Sequence, residues 1–316
     1  MARRLESADT INLERLEDKM GLKVKDIKSL TRGVKRSNKY YEERLDTTDE
    51  WILTRTGIEN RYITEETPSE MAKELADQLE FDRDKVKALI VASFSSDVRI
   101  PSIAGILHKR LELNNSCFSV DINAACAGFV SAMIMAERML NPGEEAILVA
   151  SEQVSRYIDF NDRGIAVLFG DGCAGIVVEK NDKLWLSDAS TYGDDRVIVM
   201  DDNDFIQMNG QEVFKFAISK VPESLERLLE RANLTGADID YVAAHQANVR
   251  ILEQISKRTG IDEDKVLKNI RERGNTSAAS VPTLLYDYRD KFKDGDKVLF
   301  TAFGAGLIVN SVLMEW

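Results

Sequence analysis

The chain has 316 residues, 44% hydrophobic and 30% charged, which is material for one large core or two fused smaller ones and excludes a fibrous or disordered chain. Its net charge of −12, from 42 basic and 54 acidic side chains, argues against nucleic-acid binding and requires a local basic patch for any anionic partner. The three cysteines are too few and too odd for a disulfide framework, no apolar run reaches the length of a membrane span, and the charged first twenty residues lack the apolar stretch of a secretory signal. Together these predict a cytosolic protein.

In chain order, residues 1–19 read as a detached, disordered extension ahead of Met20, with an amphipathic helix through Leu13, Leu16 and Met20 as the alternative. A strand-like stretch follows at 22–27. Four short apolar runs, at 89–92, 118–122, 146–150 and 174–178, read as buried strands. A helix is predicted over 219–233, with Pro222 near its start and Leu225, Leu228 and Leu229 on one face. The alternation points to an α/β architecture. The stretch 85–92 is echoed at 238–244, and 143–150 at 295–302, both at an offset of about 152 residues. That is half a chain and predicts two similar halves, 20–180 and 181–316, packed on one another.

Three residues could carry chemistry. Cys126 follows the 118–122 strand and a short turn, and it opens 127–136, a run without a charge that should form a helix buried on all sides. A thiol there sits in the positive end of the helix dipole, which favours thiolate. Most free cysteines are small buried hydrophobes, and Cys117 and Cys173 are read that way. His245 ends a strand, where sites form in open α/β sheets; His108 lies on a predicted helix surface and reads as solvated. Asn275 lies in a Gly-Asn-Thr-Ser loop whose bland reading is a turn or helix cap. Adding the repeat offset to Cys126 lands in that same loop. The glycine-rich turns at 170–172 and 303–306 lack phosphate-loop spacing, and no clustered His, Cys or carboxylates offer a metal site.

Taken together, Asp46-Thr47-Thr48-Asp49-Glu50-Trp51, Arg55-Thr56-Gly57-Ile58, Asn123-Ala124-Ala125-Cys126-Ala127-Gly128-Phe129, Asp162-Arg163-Gly164, Met208-Asn209-Gly210, His245-Gln246-Ala247-Asn248, Gly274-Asn275-Thr276-Ser277 and Phe303-Gly304-Ala305-Gly306 resemble the β-ketoacyl-[acyl-carrier-protein] synthase III family of thiolase-like condensing enzymes. The resemblance implies a thiolase-like five-layered α/β/α/β/α sandwich, an α/β fold built from two similar halves, working as a homodimer. The implied reaction is the initiating condensation of bacterial fatty-acid synthesis, from an acyl-CoA and malonyl-acyl carrier protein, with no cofactor. By that resemblance Cys126 takes the acyl group, while His245 and Asn275 bind the malonyl thioester carbonyl. Backbone N–H groups of Cys126 and Ala305 form an oxyanion hole. Trp51, Arg55, Arg163, Gly210, Phe214 and Asn248 hold CoA, and Lys215, Arg250 and Lys257 receive the acidic acyl carrier protein.

Ile100 matches the position that limits acyl length across the dimer; being neither Phe nor small, it leaves acetyl and short branched primers open. The stretches 65–85 and 180–207 are shorter than the family's usual, and Asn310 stands where Gly is common. The nearest rival is a polyketide or quinolone-type condensing enzyme of the same fold. A Cys–His–Asn hydrolase is a rival from another class, one with no use for Trp51, Arg55 and Arg163.

Overall fold

The computed structural model describes residues 20–316, so the expected extension at 1–19 lies outside the described residues. The strands in chain order are β1 (Gly21–Leu30), β2 (Val34–Ser37), β3 (Asn60–Ile63), β4 (Val86–Ala92), β5 (Phe118–Ile122), β6 (Glu145–Glu152), β7 (Gly172–Asn181), β8 (Trp185–Asp194), β9 (Ile198–Met200), β10 (Ile206–Met208), β11 (Tyr241–Ala244), β12 (Lys297–Gly304) and β13 (Gly306–Glu315). One sheet runs β1-β7-β6-β4-β5 and the other β11-β12-β13-β8; β2–β3 and β9–β10 are separate two-stranded pairs.

The echo in the sequence is an echo in topology. β4 pairs parallel with β6, β6 antiparallel with β7, and β7 antiparallel with β1. In the second sheet β11, β12, β13 and β8 repeat that pattern in the same order and directions. Even β5, the extra strand, has a stub of a counterpart: Val266 bridges Val242 in parallel, and the Leu267 N–H donates to the Val242 carbonyl at 3.0 Å.

The middle of each central strand is apolar because both of its faces are covered. On β4, Ala88, Ile90 and Ala92 point into the core shared by the two sheets, while Leu89 and Val91 point outward. The inner layer holds the helices Gly128–Met139 and Ser280–Tyr288 between the sheets. The outer face of the first sheet packs on Pro68–Ala76 and Ile103–Arg110, and that of the second on Gly210–Ala232 and Val249–Thr259. The result is the five-layered sandwich. Among the described residues no helix is long and apolar enough to cross a membrane.

Two local expectations need correction. The helix expected over 219–233 runs Gly210–Ala232, so Pro222 lies mid-helix rather than near the start. The true start is Asn209, whose side chain accepts from the Glu212 N–H at 3.3 Å and donates to the Glu212 carboxylate at 2.9 Å. His108 is half-buried, not free on a surface; its Nδ1 lies 2.8 Å from the Ser119 hydroxyl.

Candidate active site

Cys126 is placed by burial behind it. The helix Gly128–Met139 buries Phe129, Val130, Met133 and Ile134, worth on the order of 6–12 kcal/mol gross at about 1.5–3 kcal/mol each. Gly128 lets this helix sit close to β4 and to the other half, since a Cβ there would stand 3.1 Å from that of Ala92 and 3.5 Å from that of Ala278. Ahead of it Ala125–Ala127 form one tight turn, with Ala125 at φ 45°. Ser277–Ala279 form the same turn ahead of Ser280–Tyr288, with Ser277 at φ 51°. Non-glycine residues hold such angles only where their surroundings force them to. The strand ends that face these turns are Glu152 on β6 and Gly304 on β12. A Cβ on Gly304 would meet the Cys126 backbone nitrogen at 2.9 Å, so only glycine lets β12 approach so closely.

His245 follows β11 directly, held by its own N–H to the Thr301 carbonyl at 2.8 Å. It is fully enclosed, 2% exposed, with its ring edge-on to Phe303 at 5.6 Å between centroids. Its Nδ1 lies 2.6 Å from the Ser280 hydroxyl. That hydroxyl accepts from the Gln246 N–H at 3.4 Å, and Nδ1 is the acceptor it has among the described residues. The hydroxyl proton therefore goes to Nδ1, and Nε2 carries the ring proton. Burial pushes the imidazole down to about 3, so the ring is neutral across the physiological range. Asn275 is clamped through its backbone: its N–H donates to the Leu168 carbonyl and its carbonyl accepts from the Gly170 N–H, both at 3.0 Å. Its side-chain oxygen accepts from the Ser277 N–H at 2.9 Å, which leaves the NH₂ group as the free end.

These residues share one cavity of about 870 Å³. Cys126, His245, Asn275 and Ala305 line it, as do Trp51, Arg55, Gly210, Phe214, Lys215, Asn248 and Arg250. At the rim the Arg55 and Arg163 guanidiniums lie 5.9 and 5.2 Å from the Trp51 ring centroid. The Asn248 amide is already engaged, capping the helix Val249–Thr259 at the Arg250 N–H and donating to the Arg55 carbonyl at 3.1 Å. Arg163 is not a lining residue, though Gly164 beside it is. Lys257 lies outside the cavity, two helical turns beyond Arg250 on that helix. Ile100 is 93% exposed and far from enclosing anything within its own chain.

The thiol differs from expectation. Cys126 faces the cavity with part of its surface, yet burial, aided by the nearby Glu152 charge, pushes it up to about 12, against the lowering effect of Ser277. Desolvation here opposes the dipole of the turn and helix that Cys126 opens. Sequence reading also missed several contributors. Ser277 and Ser280 were read only as turn formers. Glu152 was passed over at the end of an apolar strand, where a charge is itself a signal because an isolated buried carboxylate is costly. The wall supplied by Ile198, Val199, Met200 and Ile206 on the β9–β10 hairpin carried no readable motif.

Residues 120–193 match the family model of 3-oxoacyl-[acyl-carrier-protein] synthase III, and residues 229–316 match the model of its C-terminal part. The β-ketoacyl-[acyl-carrier-protein] synthase III of Acholeplasma laidlawii is 37% identical over 293 residues, 88% of this chain and 93% of that protein. The crystal structure of the 3-oxoacyl-[acyl-carrier-protein] synthase III of Aquifex aeolicus is 31% identical, with a TM-score of 0.84 over 95% of this chain and 99% of that one. The priming β-ketosynthase of the R1128 polyketide pathway is 29% identical, also with a TM-score of 0.84, over 94% of this chain and 97% of that one. The chain belongs to the β-ketoacyl-[acyl-carrier-protein] synthase III family, the thiolase-like acyltransferases that carry out the initiating condensation of fatty-acid synthesis.

Proposed function

We propose that this cavity performs that condensation with the residues named above. Cys126 attacks an acyl-CoA, its sulfur displaces CoA, and an acyl-Cys126 thioester remains. Malonyl-acyl carrier protein then enters the same cavity and loses CO₂. The enolate so formed attacks the acyl-Cys126 carbonyl, giving 3-oxoacyl-acyl carrier protein and freeing the sulfur. The carrying observation is that one cavity joins a cationic, aromatic rim to a floor with a thiol and two neutral donors. Nε2–H of His245 and the NH₂ of Asn275 are the donors for the enolate oxygen, and neither needs to change protonation state to act. Backbone N–H groups of Cys126 and Ala305 serve the tetrahedral intermediates.

In this reading residues 20–180 form the half that supplies the nucleophile and residues 181–316 the half that supplies His245 and Asn275. Trp51, Arg55 and Arg163 take the CoA nucleotide, its adenine by stacking and its phosphates by charge. Gly210, Phe214 and Asn248 line the pantetheine path. Lys215 and Arg250 at the mouth, with Lys257 beyond it, receive the acidic acyl carrier protein, which answers the chain's net charge of −12. The enzyme works in the cytosol as a homodimer, with Ile100 limiting the acyl chain held by the partner subunit.

The test is intact-mass spectrometry after mixing with acetyl-CoA or isobutyryl-CoA, beside Cys126→Ala. One acyl adduct per chain, absent from the variant, is expected; no adduct on folded wild-type protein would overturn the priming step. Likeness to a polyketide priming enzyme keeps that pathway as the second reading. Acceptance of longer acyl primers in preference to acetyl and isobutyryl would favour it.

A further inference from the structure

Arg61 on β3 is among the largest fully buried side chains of the described residues, and the chemistry above makes no use of it. Burying a guanidinium is costly unless its donors are met, so the groups that meet it are informative. Nη1 donates to Asn38 Oδ1 at 2.7 Å, and Nη2 donates to the Val167 carbonyl. The guanidinium carbon lies 4.6 Å from the centroid of the Tyr41 ring. Asn38 is itself held, its Nδ2 donating to the Asp49 carboxylate at 2.8 Å and to the Ile58 carbonyl at 2.7 Å. Asp49 opens the helix Asp49–Thr56, which carries Trp51 and Arg55 at the cavity rim. One arm of the fork is thus anchored firmly, and the other reaches a main-chain carbonyl.

That carbonyl belongs to the segment that clamps Asn275. Val167 is followed by Leu168, whose carbonyl accepts the Asn275 N–H at 3.0 Å, and the Gly170 N–H donates to the Asn275 carbonyl at 3.0 Å. Both chain segments also lie against the stem of Arg61. A Cβ on Gly170 would stand 3.0 Å from that of Arg61, and one on Gly274, just before Asn275, would stand 3.2 Å from it. The Asp171 N–H donates to the Tyr62 carbonyl at 2.8 Å, which ties the same segment to β3 beside Arg61. We propose that Arg61 is a positioning residue for Asn275: its fork braces the 167–170 segment against Asn38, and through that segment it sets where the Asn275 amide stands in the cavity.

An arginine suits this task because its donors are fixed in one plane and serve two acceptors at once, a side-chain oxygen and a main-chain oxygen. Lysine keeps the charge but is a point donor on a flexible stem, and it braces one acceptor at the expense of the other. Burial lowers the guanidinium to about 10, which still leaves it charged at neutral pH. The amide it places must point at an oxygen that gains charge only in the transition state, where a displacement of about 1 Å costs on the order of 100-fold in rate. Cys126 sits on a different turn, ahead of a different helix, and none of these hydrogen bonds reaches it. Loss of the fork should therefore fall on the malonyl half-reaction and spare the thiol.

The inference rests on Asn275 serving that half-reaction, and a double-mutant cycle on the full chain tests it. Release of ¹⁴CO₂ from malonyl-acyl carrier protein in the presence of acetyl-CoA should fall about 30-fold in Arg61→Lys against the wild type. In the Asn275→Ala background the same substitution should cost less than about 3-fold, because no amide is left to place. Alkylation of Cys126 by iodoacetamide, followed by intact mass, should be unchanged in Arg61→Lys. Arg61→Gln, which has no charge to desolvate, should give the same pattern and serves as the test where the lysine variant does not fold. An equal loss in both backgrounds, alkylation falling in step with decarboxylation, or no loss in folded Arg61→Lys would overturn the proposal and leave Arg61 a residue of the core alone. Full decarboxylation in Asn275→Ala by itself would overturn the reading of Asn275, and the role of Arg61 with it.

Discussion

The turns Ala125–Ala127 and Ser277–Ala279 share a conformation, a place ahead of a buried helix, and a strained first residue, but they do different work. In the proposed reaction the first carries the nucleophile. The second carries a hydroxyl bonded to Glu152 and follows, by two residues, the amide proposed as donor. The facing strand ends differ in the same way: β6 ends in a buried carboxylate, β12 in a glycine that admits the Cys126 backbone. The folded scaffold is nearly symmetric, and the chemistry is divided between its copies.

The comparison breaks most completely at its first turn. Cys126→Ala should abolish the acyl adduct seen by intact mass while leaving the melting temperature near that of the wild type, since the half-buried side chain loses only a sulfur. The donor side should fail less absolutely: Asn275→Ala should slow malonyl-thioester decarboxylation ~100- to 1,000-fold, about 3–4 kcal/mol of transition-state stabilisation, with acylation of Cys126 by acyl-CoA retained. Release of ¹⁴CO₂ beside the acyl adduct separates the two.

The strand ends sharpen the contrast. Gly304→Ala forces a Cβ against backbone at 2.9 Å and should destabilise by about 1–3 kcal/mol with a slowed acylation. Gly210→Ala, with nothing within 4 Å of its Cβ, should leave stability unchanged in the same denaturant titration. Glu152→Gln should move stability the other way. A carboxyl raised from 4.5 to about 7 in the folded state binds its proton more tightly there than when unfolded. Wild-type stability is therefore fullest below about 4.5 for this group and falls as pH rises through 7, by a total on the order of 3 kcal/mol. The variant should thus unfold at a higher denaturant concentration than the wild type at pH 8, and the gain should shrink to under about 1 kcal/mol at pH 5. The smallest effect belongs to Lys257→Glu: outside the cavity, it should raise KM for the malonyl-carrier substrate by roughly 3-fold or less, within what an exposed charge is worth.

The architecture was legible because buried strands advertise themselves as apolar runs and because the repeat left two echoes at one offset. The loops around Cys126, His245 and Asn275 were legible as turn chemistry at strand ends, and the family resemblance gathered them. What stayed hidden is what depends on the third dimension. Ser277 and Ser280 look alike in the sequence, yet one donates to a carboxylate and the other meets an imidazole. The enclosure that opposes the helix dipole at the thiol stayed hidden too, because a dipole can be read from order along the chain, whereas enclosure cannot. The start of the helix at Gly210 was missed because its capping residues lay in a stretch already read as a binding motif.

The bond between Ser280 and His245 has a consequence for the lifetime of the intermediate. An acyl thioester waiting for its second substrate is lost whenever a base can strip a proton from an approaching water. The lone pair with which His245 could do so is Nδ1's, and the Ser280 hydroxyl fills it. A ring that can donate but not accept holds an acyl group without spilling it, whereas a Cys–His–Asn hydrolase needs that lone pair free. In the proposed reaction that serine keeps the ring a donor, so His245 offers an approaching water no base.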